Sequence, residues 1–182
     1  MNMHFRRSRY PLIFVLFFIV VSLQYLLRSH DKDPSNIIAQ EAKVIEIIDG
    51  DTVTLRVSNS FYRARLIGID APEMGQKPWG ERAKRHLEEL IRSAHGIKIE
   101  TDIEKFDKYN RLLVYLLTED GRLINEQMLL DGYAVLFTVP PNVKYVDRFI
   151  EAEKVAKEHK KGIWGRKGLK EMPLDYKRRH GL

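Results

Sequence analysis

The sequence contains no cysteine. Disulfide bonds, thiolate zinc sites and cysteine nucleophiles are therefore excluded. This absence does not locate the protein, because chains without cysteine occur in every cellular compartment. The six histidines show no spacing typical of metal ligands, and the acidic spacing of a helix–loop–helix calcium loop is also missing.

The central part of the chain lacks an excess of basic residues. The net charge of +6 comes from the two ends, because residues 1–30 carry +4 and residues 160–182 carry +6, which leaves −4 for residues 31–159. A body that holds nucleic acid by a broad positive surface is thereby excluded. Any contact with nucleic acid must use a few placed cations and a metal, with the basic tail adding non-specific attraction.

The remaining composition is that of a folded protein. The chain has 182 residues, of which 44% are hydrophobic and 31% are charged. These proportions allow a real core and exclude a fully disordered chain. The length predicts one domain with an appendage.

The amino-terminal segment has the pattern of a membrane span. Three arginines precede an apolar run at residues 11–27, which as a helix would extend roughly 25 Å, near the lower limit for a bilayer. We expect the basic flank to stay in the cytoplasm and the domain to face outward. A cleaved signal peptide has the same order of charge and apolarity, although its small-x-small ending is hard to find here. A buried soluble helix is the third interpretation.

The body of the sequence alternates short strands with a few helices. Asp49-Gly50 is a hairpin-turn signal between the first two strands. The predicted strands lie at 42–48, 52–57, 61–69, 97–101 and 111–117, and the predicted helices at 80–94, 123–130 and 146–159. This arrangement favours a small closed or nearly closed barrel. Periodicity alone does not separate such a barrel from an open α+β sheet.

Two predicted strand ends carry carboxylates. Asp51 follows the hairpin turn, and Asp70 ends the third strand, one proline before Glu73. Each stretch in isolation is also an ordinary turn. Together, Asp51, Asp70 and the carbonyl of Ala71 offer the oxygen ligands that hard divalent cations prefer. Glu73 would then be free to hold a water molecule.

Two arginines accompany these acids. Arg65 precedes Asp70 on the third strand, and Arg111 begins a later strand. Either arginine alone is more often a solvent-facing or salt-bridged residue, but a guanidinium also matches phosphate oxygens in pairs. Arg65 and Asp70 fall on opposite faces of a regular strand, so a shared site requires the strand to twist, bulge or end between them.

Three ordered motifs carry a resemblance to a known family. The segments IDGDT, RLIGIDAPE and DKYNR are similar to those of the thermonuclease family, whose type member is staphylococcal nuclease. The similarity runs over residues 43–164. It implies a five-stranded OB-type barrel with about three helices. It also implies calcium-dependent hydrolysis of phosphodiester bonds in DNA and RNA.

The resemblance implies a role for each motif residue. Asp51 and Asp70 match the calcium-binding carboxylates, and Ala71 stands where the family supplies a backbone carbonyl. Glu73 matches the residue that orients or deprotonates the attacking water.

The cationic positions of the family are also filled. Arg65 and Arg111 match the arginines that bind the phosphate and stabilise the transition state. Lys108 and Tyr109 match residues that contact a terminal phosphate of the nucleotide. The segment 134–142 departs from the type enzyme because it lacks a pair of base-stacking tyrosines, and Phe137 is the aromatic residue that remains to take over one role.

These observations together predict an anchored or secreted nuclease. The expected regions are a cytoplasmic flank at 1–9, an anchor or signal segment at 10–27, a linker at 28–41, a nuclease-like domain at 42–165 and a basic tail at 166–182. The substrate is nucleic acid, and a monomer is expected because no protein partner is implied. The alternative is a non-catalytic nucleic-acid-binding module with the same barrel.

Overall fold

The computed structural model describes residues 40–181 of the chain. The predicted anchor at 10–27 and nearly all of the predicted linker lie outside these residues. Among residues 40–181, no helix combines the length and the apolar character needed to cross a membrane.

Five strands close into a barrel, and two further strands pair outside it. The order around the barrel is β1-β2-β3-β6-β5, and β4 pairs with β7 in a separate small sheet. The strands are β1 Gln40–Ile47, β2 Thr52–Val57, β3 Ser60–Leu66, β4 Gly68–Asp70, β5 Ile97–Glu100, β6 Leu112–Thr118 and β7 Val135–Phe137. The closed five-stranded barrel confirms the sequence prediction over the open sheet.

One junction of the barrel is parallel. Strands β3 and β6 run in the same direction, with Ala64 opposite Leu112 and Arg65 opposite Leu113, whereas the other barrel pairs are antiparallel. The long connection that a parallel pair requires contains β4, the helix α1 (Trp79–Ser93) and β5. The parallel junction brings the segments that carry the two predicted phosphate-binding arginines together.

The barrel interior is filled by alternating apolar side chains. Alternation along a strand sends every second residue inward, which is why β2 and β3 bury one face. Fully buried side chains from the barrel strands include Val53, Leu55, Ala64, Leu66, Ile99, Leu112, Val114 and Leu116. This packed interior supplies the rigid base on which the strand ends are held.

Helices cover the outside of the barrel. They are α1 Trp79–Ser93, α2 Ile124–Leu130, α3 Val146–Glu158 and α4 Pro173–His180, with a 3₁₀ turn at Gly162–Trp164. The described part of the chain therefore has four α-helices, one more than the three that were expected. The additional helix, α4, forms in the segment that the sequence presented as a basic tail.

The predicted strand 61–69 is divided in two. Strand β3 ends at Leu66, and Gly68 has a φ of +80°, a left-handed conformation that side chains rarely adopt. A Cβ at Gly68 would collide with the ring of Phe149. The chain then turns into β4 and pairs with β7. This break is what allows Arg65 and Asp70 to reach the same place.

A buried asparagine fastens the break to the barrel. Asn125, at the start of α2, donates from Nδ2 to the carbonyls of Ile67 at 2.9 Å and Val114 at 3.3 Å. Its Oδ1 accepts from the backbone N–H of Leu116 at 2.9 Å. Because the side chain is fully buried, these bonds satisfy backbone groups that water does not reach.

Candidate active site

Arg65 joins the two aspartates that the sequence placed at strand ends. Its two terminal nitrogens lie 2.9 Å from Oδ1 of Asp51 and 3.0 Å from Oδ1 of Asp70. Both aspartates are buried, with 5% and 1% of their surface exposed. The structure therefore brings Asp51, Arg65 and Asp70 into one cluster in which a single guanidinium contacts both carboxylates.

Hydrogen bonds from Ala71 and Thr52 fix the side chain of Asp51. Its Oδ2 accepts from the backbone N–H of Ala71 at 2.7 Å, and its Oδ1 accepts from the hydroxyl of Thr52 at 3.1 Å. Its own carbonyl accepts from the N–H of Leu66 at 2.9 Å. The β1–β2 turn and the start of the loop after β4 are thereby locked together, and Ala71 lies buried against Asp51.

Asp49 lies beside Asp51 in the same turn. Its Oδ1 accepts from the backbone N–H of Asp51 at 3.0 Å. Burial, together with repulsion from the Asp51 carboxylate, raises the pKa of Asp49 to about 6. The turn thus holds two carboxyl groups that repel each other when both are charged, and a nearby cation would relieve that repulsion.

A lysine from α4 reaches the same cluster. The Nζ atom of Lys177 lies 2.5 Å from Oδ1 of Asp70 and 3.0 Å from Oε1 of Glu73. Asp70 and Glu73 thus share one ammonium, which belongs to a residue that the sequence pattern did not suggest.

The ionisation of Asp70 and Lys177 depends on their contact. Burial raises the pKa of Asp70, although the charges of Arg65 and Lys177 oppose that shift. Burial also works against the charge of Lys177, but attraction to Asp70 outweighs it and raises the pKa of the ammonium. Because the pKa of the ammonium is raised, the proton stays on Lys177. We favour the ion pair, because Asp70 contacts two cations and Lys177 contacts two carboxylates.

The loop after β4 holds Glu73 from both sides. The backbone N–H of Glu73 donates to Oε1 of Gln76 at 2.9 Å, and its carbonyl accepts from the N–H of Gln76 at 2.8 Å. At the start of α1, a Cβ on Gly80 would collide with the carbonyl of Glu73. The glycine thus permits the helix to approach the loop closely. The backbone of Glu73 is therefore fixed in position by its contacts with Gln76 and α1.

Arg111 is oriented by a separate carboxylate. Its Nε donates to Oδ2 of Asp107 at 2.7 Å, and its backbone N–H donates to Oδ1 of the same residue at 2.9 Å. Against the effect of burial, these bonds lower the pKa of Asp107. The guanidinium also lies 5.4 Å from the ring centroid of Tyr109, which is itself exposed, and Lys108 lies 4.9 Å from the same ring.

The two arginines line one cavity. Its volume is about 590 Å³, and its wall includes Arg65, Lys108, Tyr109, Arg111 and Phe137. Arg65 therefore contacts the buried carboxylates of Asp51 and Asp70 and also forms part of the cavity wall. The remaining wall is largely apolar, which suits a flat ring beside charged groups.

Comparisons with known proteins establish the family of the chain. The family described as staphylococcal nuclease homologue matches residues 63–166. The chain belongs to this family. It is 33% identical to a thermonuclease of Staphylococcus hyicus over 165 residues, which cover 84% of this chain and 94% of that protein. The predicted resemblance to thermonucleases is confirmed.

Other relatives carry nuclease names as well. A thermonuclease of Staphylococcus intermedius is 30% identical over 85% of this chain and 95% of its own length. The endonuclease YncB of Bacillus subtilis is 35% identical over 66% of this chain and 60% of its own length. This member of the staphylococcal nuclease family is accordingly a nuclease-type phosphodiester hydrolase, as the sequence predicted.

The acidic cluster of this family member differs from a metal site made of acids alone. Among residues 40–181, no group of three or more histidine, cysteine, aspartate or glutamate side chains is arranged to hold a metal ion. The set expected from the family resemblance has two aspartates and one backbone carbonyl. The protein's own cations already contact these carboxylates. Arg65 contacts both aspartates, and Lys177 contacts Asp70.

Sequence reasoning missed several residues of this site. Lys177 and Gln76 were not singled out, and Asp107 was noted only as part of a motif. The signal for Lys177 was the run Lys177-Arg178-Arg179-His180, but a basic run near a chain end is usually a solvated face. The signal for Asp107 was its spacing of four residues from Arg111, which permits an ion pair in a tight turn.

Proposed function

We propose that this chain is a calcium-dependent nuclease that hydrolyses phosphodiester bonds of DNA and RNA. The observation that carries the proposal is the double role of Arg65, which contacts Asp51 and Asp70 and also lines the cavity that it shares with Arg111. A phosphate held by the two arginines would lie next to the acidic cluster, as metal-assisted hydrolysis requires.

The donor set fits a hard divalent cation. We infer that the carboxylates of Asp51 and Asp70 and the carbonyl of Ala71 would hold calcium, because this cation prefers oxygen ligands. The contact between Lys177 and Asp70 supports this assignment, since the ammonium is a positive charge already seated beside one proposed ligand. When bound, the metal would neutralise a phosphate oxygen and make a bound water more acidic.

Glu73 is the proposed partner of the attacking water. Its backbone is held by Gln76, and its carboxylate lies within reach of the ammonium that also contacts Asp70. A carboxylate at this place can accept a hydrogen bond from water and orient it, or take its proton. Replacing Glu73 with glutamine would retain the shape and remove the charge.

Arg65 and Arg111 are the proposed phosphate ligands. In-line attack on phosphorus builds negative charge on the equatorial oxygens, and fixed guanidinium groups stabilise that charge more strongly in the transition state than in the substrate. Asp107 holds Arg111 through its Nε and leaves its terminal nitrogens available. Losing one such group is expected to lower the rate by about 10²–10³-fold.

The outer wall of the cavity supplies the proposed contacts to the rest of the nucleotide. Lys108 and Tyr109 are proposed to contact a terminal phosphate. We propose that bases stack on Tyr109, whose ring is exposed, or on Phe137, which is half-buried. These contacts favour single strands with unpaired bases, because a base in a duplex is already stacked.

Digestion of labelled single-stranded DNA and RNA oligonucleotides by the purified full-length protein tests the proposal. Calcium, magnesium and a chelator are compared in parallel. We expect cleavage in calcium and none in the chelator. Glu73→Gln should lower the rate by about 10²–10⁴-fold, whereas the exposed Glu81→Gln on α1 is the matched control and should retain it.

Two results would contradict the proposal in different ways. Equal, negligible cleavage under all three conditions, with the oligonucleotide still bound, would support the non-catalytic binding module. Full activity of Glu73→Gln would leave the nuclease assignment standing but would remove Glu73 from the mechanism.

We also propose that the domain works outside the cytoplasm as a monomer, either anchored by residues 10–27 or released after cleavage of that segment. The supporting observation is the apolar run at residues 11–27 behind three arginines. Protease treatment of intact cells tests this arrangement. Protection of the domain would contradict it, whereas digestion at the surface or recovery from the medium would separate the two forms.

A further inference from the structure

Helix α4 is attached to the loop that carries Glu73. The Nε2 atom of Gln76 donates to the carbonyl of Glu171, just before the helix, at 2.8 Å. The hydroxyl of Tyr176 lies so close to Gly75 that a Cβ there would collide with it. Leu174 lines the cavity that contains Arg65 and Arg111. The helix therefore packs directly over the candidate active site.

Among the basic residues of this helix, Lys177 alone contacts the catalytic carboxylates. Arg178 is 72% exposed at its side chain and lies 3.8 Å from Asp175 in the same helix. Arg179 pairs with Glu171, also outside the acidic cluster. Lys177 instead contacts Asp70 at 2.5 Å, with only a quarter of its side chain exposed.

We propose that α4 is an intramolecular inhibitor whose Lys177 ammonium competes with the divalent cation for the acidic cluster. The inference rests on the proposed metal site at Asp51 and Asp70. Metal binding and productive placement of Glu73 would then require Lys177 to withdraw.

Charge and geometry explain why the two cations exclude each other. The Oδ1 atom of Asp70 already accepts from Arg65 and Lys177, so a metal that uses this oxygen must displace a hydrogen bond. A divalent cation and an ammonium on the same carboxylate also repel one another strongly in a buried setting. Lys177 further engages Glu73, the group proposed to hold the attacking water.

Calcium titration of the full-length protein by calorimetry tests the competition. Lys177→Met should lower the Kd for calcium by about 10- to 100-fold, which corresponds to the loss of charge-assisted hydrogen bonds that the metal must otherwise break. Lys177→Arg keeps the charge and should bind calcium as the wild type does. Arg178→Met on the exposed side of the same helix is the matched control and should also be unchanged.

The outcomes separate this inference from the proposed function. Equal calcium affinity of Lys177→Met and the wild type would overturn the competition and leave the metal site intact. Weaker binding by Lys177→Met would overturn it too, because Lys177 would then support the site. An absence of calcium binding in every variant would overturn both proposals.

A second measurement uses the wild type alone and therefore does not depend on how a variant folds. An endoproteinase that cuts after lysine should cleave after Lys177 faster when calcium is added, because the side chain that the protease must bind would no longer be held by Asp70 and Glu73. Lys170, which is exposed in the segment before α4, provides the internal reference. Unchanged cleavage after Lys177 at saturating calcium would contradict the proposal.

Discussion

Replacing Arg65 with alanine removes the guanidinium that contacts both aspartates of the site. In the wild type, its nitrogens lie 2.9 Å from Asp51 and 3.0 Å from Asp70, and only 11% of the arginine side chain is exposed. Without it, two buried carboxylates would face each other across a gap. We therefore expect a loss of stability as well as a loss of activity.

The hydrogen bonds and ion pairs that remain after the substitution determine how much stability is lost. Removing one partner of a buried ion pair typically costs about 3–5 kcal/mol. Asp51 would keep the N–H of Ala71, and Asp70 would keep Lys177, so neither carboxylate would be left without a partner. We expect the lower end of that range, about 3 kcal/mol, for Arg65→Ala in the presence of a chelator.

Urea unfolding at two pH values measures this effect. Arg65 opposes the burial-driven rise in the pKa of Asp70, so that pKa should rise further in the variant. The deficit should be largest at neutral pH, where the carboxylates are charged. It should shrink as the pH falls through the raised pKa of Asp70, because a protonated carboxyl no longer needs the guanidinium.

Arg63→Ala is the matched control. Arg63 lies on the same strand but is exposed, and its loss should change the free energy of unfolding by no more than about 0.5 kcal/mol. A deficit for Arg65→Ala that is as small as the control's would refute the reasoning. A deficit that does not change between neutral and acidic pH would show that packing, and not charge, accounts for it.

Three further predictions follow from individual contacts. Asp49→Asn should raise the free energy of unfolding by about 3 kcal/mol at pH 8 in a chelator, because the charged carboxylate with its raised pKa destabilises the fold there. The pKa of Asp49 is about 6 in the folded state, against an ordinary value of 3.8. The gain should therefore disappear as the pH falls from 6 to below 3.8, where the carboxyl is protonated in both states. An equal gain at pH 3.5 would contradict this prediction. Asn125→Ala should cost about 2–4 kcal/mol in urea unfolding, because it leaves buried backbone groups of Ile67 and Leu116 unpaired. Asp107→Asn should lower kcat/KM on the order of 10-fold by loosening Arg111, and a cooperative urea-unfolding transition is the check that the fold persists.

Local patterns accounted for most of the barrel. The strand predicted at 52–57 has those bounds in the structure, because β-branched residues alternate there between two turn signals. The strand predicted at 61–69 was too long, since nothing in the apolar pattern marks the left-handed conformation of Gly68. The three-residue strand β7 was not predicted, because a run this short has no measurable periodicity.

The cluster of Asp51, Arg65 and Asp70 was easier to predict than the groups that surround it. These three residues lie within a short stretch of sequence, and their motifs occur there in a fixed order. Lys177 lies 107 residues from Asp70, and α4 has only eight residues, too few to be stable without docking. Its position is decided by tertiary contacts, which local sequence does not report.

The parallel pairing of β3 with β6 has a consequence for how activity appears during folding. Arg65 lies on β3 and Arg111 directly precedes β6, so the two arginines line one cavity only after two distant parts of the chain have joined. Joining strands across a long intervening loop is a slow event in folding. Regain of cleavage after dilution from urea would therefore time the closure of the barrel itself, and a partly folded chain with intact hairpins would leave nucleic acid uncut.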